Sequence, residues 1–214
     1  MNDIRFLLFD AANTLIHKPT LWTKMASALE MHKIQIDIPT LQRHHKLISE
    51  VLFFPDRTSA DFYKKFNGEL LYSLGIIPND VLLDDIFKAC TYLPWEVFDD
   101  TDALQKMTLP KGILSNFNTT LAEKISNMFP GVFSSIITSE EMQCAKPSLE
   151  FYKKAIDAVG LDPKQILYVG DSLKLDMEPA LKLGMNAWLI DRAECYPTYP
   201  NRITSFHQLS DIYN

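Results

Sequence analysis

At 214 residues, 47% apolar and 22% charged, the chain has the balance of a folded globular protein and the length of one ordinary domain with an inserted subdomain. A formal charge of −6 argues against a phosphate-backbone binder, whose affinity depends on Lys and Arg displacing counterions, so no nucleic-acid partner is expected. Cys90, Cys144 and Cys195 are scattered, lack CxxC spacing and read as free thiols of a reducing compartment.

The first element is a strand, "IRFLLF" (4–9), closed by Asp10. Its apolar run is too short for a signal-peptide core, and no later run reaches the length of a membrane span. A cytoplasmic protein with no membrane partner is therefore expected. Residues 16–100 read differently, as amphipathic helices over 21–32, 40–53, 59–75 and 79–93, with Pro39, Pro55, Pro78 and Pro94 at the joints. The aromatic residues Trp22, Phe53, Phe54 and Trp95 are expected to pack the core of this segment, and Arg43, His44 and His45 to form a solvated helix face.

From about residue 110 onward, short apolar runs at 111–115, 134–138, 165–170 and 186–190 alternate with helical patterns at 119–129, 148–160 and 179–185. That alternation predicts an α/β fold with a parallel sheet and crossover helices, interrupted after its first strand by the helical insertion.

Ligands of such sheets sit beyond the carboxyl ends of the strands. The first strand ends at Asp10, the second run at Ser115-Asn116, and the "ILYV" run at Gly170-Asp171-Ser172, with Asp176 following. Taken singly, an Asp or Ser after a strand is ordinarily a turn residue or a helix cap. Their recurrence at three strand ends, together with "KPS" at 146–148 before a helix, points to a site.

These residues resemble the motifs of the haloacid dehalogenase-like hydrolase superfamily, in the group with a helical cap between its first and second motifs. The first motif, D-x-D-x-T after an apolar strand, is met by "FDAANTL", with Asp10 at the nucleophile, Thr14 at the threonine and Ala12 departing. The second is met by Ser115 in "GILSN", the third by Lys146 in "AKPSLEFY", and the fourth, G-D-S-x-x-x-D, by Asp171 and Asp176 in "GDSLKLD". The resemblance implies a Rossmann-like core of residues 1–15 and 101–214, a cap of residues 16–100, and a hydrolase acting on a small phosphorylated substrate.

It also implies roles for the residues. A carboxylate can attack phosphorus in line and hold the phosphoryl group, which splits one hard displacement into two easier ones, and Asp10 is the expected nucleophile. A Mg2+ cofactor is expected on the carboxylates of Asp10, Asp171 and Asp176 and on the backbone carbonyl of Ala12, all hard oxygen donors. Lys146 is expected to neutralise charge on Asp10 and the transferred group. Ser115, with backbone N–H groups near Ala11, Ala12 and Asn116, is expected to bind the non-bridging oxygens. Asn13, where the family usually has Gly, tolerates a left-handed backbone.

Ala12 stands where family phosphatases carry the Asp that protonates the leaving group and later activates water. Losing a positioned acid–base group costs about 10²–10⁴-fold in rate on alkyl phosphates. Three outcomes remain open: a leaving group that needs no proton, a proton supplied from the cap, or different chemistry. A dehalogenase has no use for magnesium, and the paired acids of "GDSLKLD" count against it. A phosphonatase-type enzyme carries Ala here but needs a cap lysine that forms a Schiff base, for which Lys24 and Lys33 stand on or beside a candidate helix. A degenerate phosphate-binding protein is the third reading. Substrate selection is expected from "IHKPTLW" after the first motif, with His17, Lys18 and Trp22 as candidates.

Overall fold

A computed structural model of the chain describes residues 3–52 and 58–213; Phe53, Phe54 and Pro55 lie outside the described residues. The described residues divide into two compact units. One runs to His17, resumes over Val97–Arg192 and continues from Tyr196; the other comprises Lys18–Glu96 with Ala193–Cys195.

β1 (Phe6–Phe9) is buried along its whole length, as a strand covered on both faces must be. After Asp10 the chain turns tightly, with Leu15 N and Ile16 N both donating to the Ala11 carbonyl, and enters β2 (Ile16–His17). Asn13 holds the left-handed conformation of that turn at φ 61°, the geometry its short polar side chain tolerates.

The helical unit contains α1 (Leu21–Met31), α2 (Ile38–Ser49), α3 (Ala60–Ser73) and α4 (Asp80–Cys90). Asp37, Ser59 and Asn79 cap the last three by accepting a backbone N–H of the first turn. The cap at Asp37 starts α2 earlier than expected and puts Pro39 inside the first turn instead of at a joint. Proline fits there because an N–H at that position has no helical partner to lose. Leu29, Leu41, Leu70, Leu82 and Ile86 form the centre of this unit, with Trp22 packed at its edge.

His45 departs from the expected solvated face. Its ring meets Trp22 edge-on at 5.0 Å and tilts against Phe66 at 4.8 Å, so it is partly buried among aromatics. His44 is paired with Ser73 Oγ at 3.0 Å.

β3 (Glu96–Val97) pairs with β2 in a two-stranded sheet, and both strands are too short to leave a periodic signal in the sequence. The main sheet follows with β4 (Lys111–Ser115), α5 (Thr120–Met128), β5 (Ser135–Thr138), α6 (Ser139–Met142), α7 (Leu149–Val159) and β6 (Ile166–Gly170). α8 (Glu178–Lys182), β7 (Asn186–Ile190), β8 (Arg202–Ile203) and α9 (Phe206–Ser210) complete it. The six strands run in the order β5-β4-β1-β6-β7-β8, and all neighbours are parallel.

One sheet face places Phe6, Leu8, Leu114, Ile166 and Tyr168 against Phe151, Tyr152 and Ala155 of α7. Each fully buried Leu or Phe here contributes about 1.5–3 kcal/mol. On the other face Phe9 meets Phe133 and Phe206 edge to face at 6.1 and 5.7 Å.

The chain starts in the middle of the sheet, builds outward through β4 and β5, then returns to β6 on the other side of β1. The register sets Phe9 beside Ile113 of β4 and Val169 of β6. The reversal of strand order between β1 and β6 opens the crevice in which such sheets place their ligands.

Candidate active site

Asp10 follows β1 directly, its N–H donating to the Val169 carbonyl at 2.9 Å, and its side chain is buried. Ser115, the last residue of β4, brings Oγ to 3.4 Å from Asp10 Oδ1. Lys146 enters from the loop before α7, with only 6% of its surface exposed. Its ammonium donates to Asp10 Oδ1 at 2.5 Å, Asp176 Oδ1 at 2.8 Å and Tyr168 Oη at 3.0 Å.

Beyond β6 the chain makes a wide turn, Leu173–Met177, in which Met177 N reaches back five residues to the Ser172 carbonyl. That turn returns Asp176 to the end of the strand. Asp176 Oδ2 accepts the Ser172 N–H at 2.9 Å, while Oδ1 accepts from Lys146 and Tyr168. Gly170 makes this possible, because a methyl group there would overlap the Asp176 carboxyl group.

Among the described residues, Asp10, Asp171 and Asp176 each bring one carboxylate oxygen to within 4.8 Å of the others. Three hard oxygen donors at that spacing suit a magnesium ion. The electrostatics agree. Burial pushes Asp10 up to about 7 against the pull of the Lys146 ammonium, and the charges of Asp176 and Asp171 push it further in the same direction. Burial works against the Lys146 charge too, but Asp10 and Asp176 outweigh it and hold the ammonium above its ordinary value.

The residues expected from the sequence at the strand ends are thus brought together: Asp10, Ser115, Lys146, Asp171 and Asp176. Ala11 and Ala12 lie in the turn after Asp10, Ala11 buried and Ala12 partly so. The Asn116 side chain does something the sequence did not reveal: it binds both backbone groups of Lys146, accepting from N at 2.7 Å and donating to O at 3.0 Å.

His17, Lys18 and Trp22 are divided between the units. In the first unit, His17 stacks on Phe98 at 3.9 Å. In the helical unit, Lys18 lies over the Trp95 ring at 5.1 Å and burial holds its amine below the ordinary range. Lys24 and Lys33 are exposed.

Two further groups near the site were missed by sequence reasoning. Arg192 grips Asp100 with both terminal nitrogens at 2.9 and 3.0 Å, lies over Phe98 at 3.8 Å, and donates to the Thr14 carbonyl at 3.0 Å, bracing the turn after the first motif. Tyr168 was legible only as an aromatic in an aliphatic strand. A buried phenol must find a partner, and here the partners are ionised.

A family profile described as haloacid dehalogenase-like hydrolase matches residues 4–184. The haloacid dehalogenase-like hydrolase domain-containing protein 3 of Danio rerio is 28% identical over 114 residues, 49% of this chain and 46% of that protein. A glyceraldehyde 3-phosphate phosphatase of Methanocaldococcus jannaschii is 45% identical over 53 residues, 25% of this chain and 23% of that one. The chain therefore spans less than half the length of these curated relatives. Among solved structures, a predicted phosphoglycolate phosphatase from Haemophilus somnus shares 16% identity with a TM-score of 0.64, covering 100% of both chains. An L-2-haloacid dehalogenase from Xanthobacter autotrophicus shares 16% identity with a TM-score of 0.62, covering 98% of both. At such identities these likenesses carry the fold alone, and it is one that hosts different reactions. The profile match, extending over most of the chain, is what establishes that this protein belongs to the haloacid dehalogenase-like hydrolases.

Proposed function

We propose that the chain is a magnesium-dependent phosphatase that attacks a small phosphorylated metabolite with Asp10, residues 18–96 serving as its cap. The observation that carries this reading is the buried contact of Lys146 Nζ with Asp10 Oδ1, beside the carboxylates of Asp171 and Asp176. The phosphatase among the relatives supports the same substrate class.

In this reading Asp10 forms a bond to phosphorus as the leaving group departs with its electron pair, and water then releases phosphate from the aspartyl phosphate. Lys146 offsets the charge gathering on the nucleophile and the transferred group. Ser115 Oγ and the backbone N–H groups at Ala11, Ala12 and Asn116 orient the non-bridging oxygens. Asp10, Asp171 and Asp176, with the Ala12 carbonyl, would hold the magnesium ion, which supplies charge neutralisation between carboxylate and phosphate when bound.

Ala12 offers no proton to a departing alkoxide. The favoured substrates are therefore acyl, aryl or anhydride phosphates, whose leaving groups depart as stable anions. Ala12 also admits a second reading, a carbon–phosphorus hydrolase that forms a Schiff base between an aldehyde substrate and Lys24 or Lys33. Borohydride reduction in the presence of such a substrate would fix its carbon skeleton on one of these lysines in that case and leave the chain unmodified otherwise.

The deciding experiment is phosphate release from acetyl phosphate and p-nitrophenyl phosphate, with and without magnesium, by wild type and Asp10→Asn. Magnesium-dependent release that disappears in Asp10→Asn is expected. Absence of release on both donors would overturn the phosphatase reading.

A further inference from the structure

The ammonium of Lys146 has three N–H donors, and Asp10, Asp176 and Tyr168 take one each. Two of these partners are motif residues; Tyr168 belongs to none of the four motifs. It sits in the middle of β6, fully buried, with its ring edge-on to Tyr152 at 5.3 Å. A tyrosine present only to fill the core would satisfy its hydroxyl on a neutral neighbour, and one exists: the Leu114 carbonyl, at 3.4 Å. The shorter contacts run instead to two charged groups. Oη accepts from Lys146 at 3.0 Å and faces Asp176 Oδ1 at 2.9 Å.

The arrangement closes a triangle of Lys146 Nζ, Tyr168 Oη and Asp176 Oδ1, whose third side is the 2.8 Å ion pair. Asp10 lies outside it. If Asp10 is the nucleophile, its oxygen becomes esterified during the reaction and loses its charge, so the shortest contact of Lys146 weakens midway. The triangle contains no reacting atom. Resting on the phosphatase reading proposed above, we propose that Tyr168 is a positioning residue which, with Asp176, holds the Lys146 ammonium on the reacting centre while Asp10 changes charge.

Tyr168→Phe tests this, because it keeps the ring and removes only the hydroxyl. The first readout needs no turnover: in nitrogen-15 spectra of the lysine ammonium groups, wild type is expected to show one group shielded from solvent exchange, assigned by its absence in Lys146→Arg. In Tyr168→Phe, at unchanged melting temperature, exchange of that group should quicken by about tenfold or more, the scale of one lost hydrogen bond to a charged group. An unchanged ammonium signal would overturn the proposal.

The second readout is kinetic: kcat on acetyl phosphate should fall about tenfold with KM within about twofold, since Tyr168 acts through Lys146 and not on the bound ground state. Equal values for wild type and variant would also overturn it. If wild type turns over no donor, the phosphatase reading fails, while the ammonium spectrum still decides whether Tyr168 holds Lys146. Should Tyr168→Phe not fold, tyrosine labelled at Cζ in otherwise unaltered protein carries the test. The Tyr168 resonance should shift between wild type and Lys146→Arg, and a resonance that stays in place would count against the bond.

Discussion

The carboxamide of Asn116 closes a ring of two hydrogen bonds on the backbone of Lys146, tying the residue after β4 to the loop that delivers the site's only lysine in contact with Asp10 among the described residues. The two residues are 30 positions apart in sequence, and an amide is needed because the contact uses one donor and one acceptor.

Asn116→Asp removes the donor while preserving size, and leaves a carboxylate beside the Lys146 carbonyl. The expected outcome is a loss of about tenfold in phosphate release, with amide hydrogen exchange at Lys146 quickened and the rest of the sheet unchanged. Exchange mass spectrometry of the 144–148 segment checks it.

Asp10 holds its proton more tightly in the fold, at about 7, than its unperturbed 3.8. The metal-free fold therefore binds more protons than the unfolded chain between those values, so this group's contribution is full below about pH 3.8 and is lost as pH rises to about 7. At pH 8 Asp10 is ionised beside Lys146 and the carboxylates of Asp171 and Asp176. Asp10→Asn should accordingly melt higher than wild type in chelator at pH 8, and added magnesium should raise the melting temperature of wild type by more than that of the variant. Thermal melts at pH 5 and pH 8 read both effects.

Ala12→Asp restores a carboxyl group where the turn now carries a methyl. Release from sugar phosphates should rise by about 10²–10⁴-fold, while release from acetyl phosphate, whose leaving group needs no proton, should change little. Comparing the two donors on one preparation separates this from a general gain in folded protein.

In the helical unit His45 titrates in the opposite sense to Asp10. Burial, and then the charge of Lys46, lower it from 6.5 to about 4, so it is neutral in the fold. Its contribution is present above about pH 6.5 and is lost as pH falls toward 4. Exchange protection of α1 and α2 should weaken across that interval in wild type. In His45→Phe, which keeps aromatic contact with Trp22 and Phe66, protection should stay level.

The legible part of this protein was whatever a local pattern can encode. Apolar runs of strand length marked β1, β4, β5, β6 and β7 to within two residues, and the residues closing three of them proved to meet. The two-residue strands β2, β3 and β8 were invisible because two residues carry no period. Pro39 misled because proline ends helices in their interior yet begins them in the first turn, and only the Asp37 cap distinguishes the cases. His45 looked solvated because its neighbours Trp22 and Phe66 lie on other helices. Tyr168, Arg192 and the amide of Asn116 escaped for a common reason: each has a partner 22 or more positions away, and one chain read alone contains no record of which distant residues touch.

The pairing of β1 with β4 and β6 has a consequence for how the chain acquires its chemistry. Lys146 and Asp10 are 136 residues apart, and Asp176 lies a further 30 beyond Lys146. During synthesis the first strand must wait unpaired while the whole helical unit is made, and contacts of such sequence separation form slowly. The acidic cluster, and with it any affinity for a divalent cation, arises only when β6 docks beside β1. Cation binding at this cluster would therefore be a late folding event, and its appearance during refolding would time the closure of the sheet.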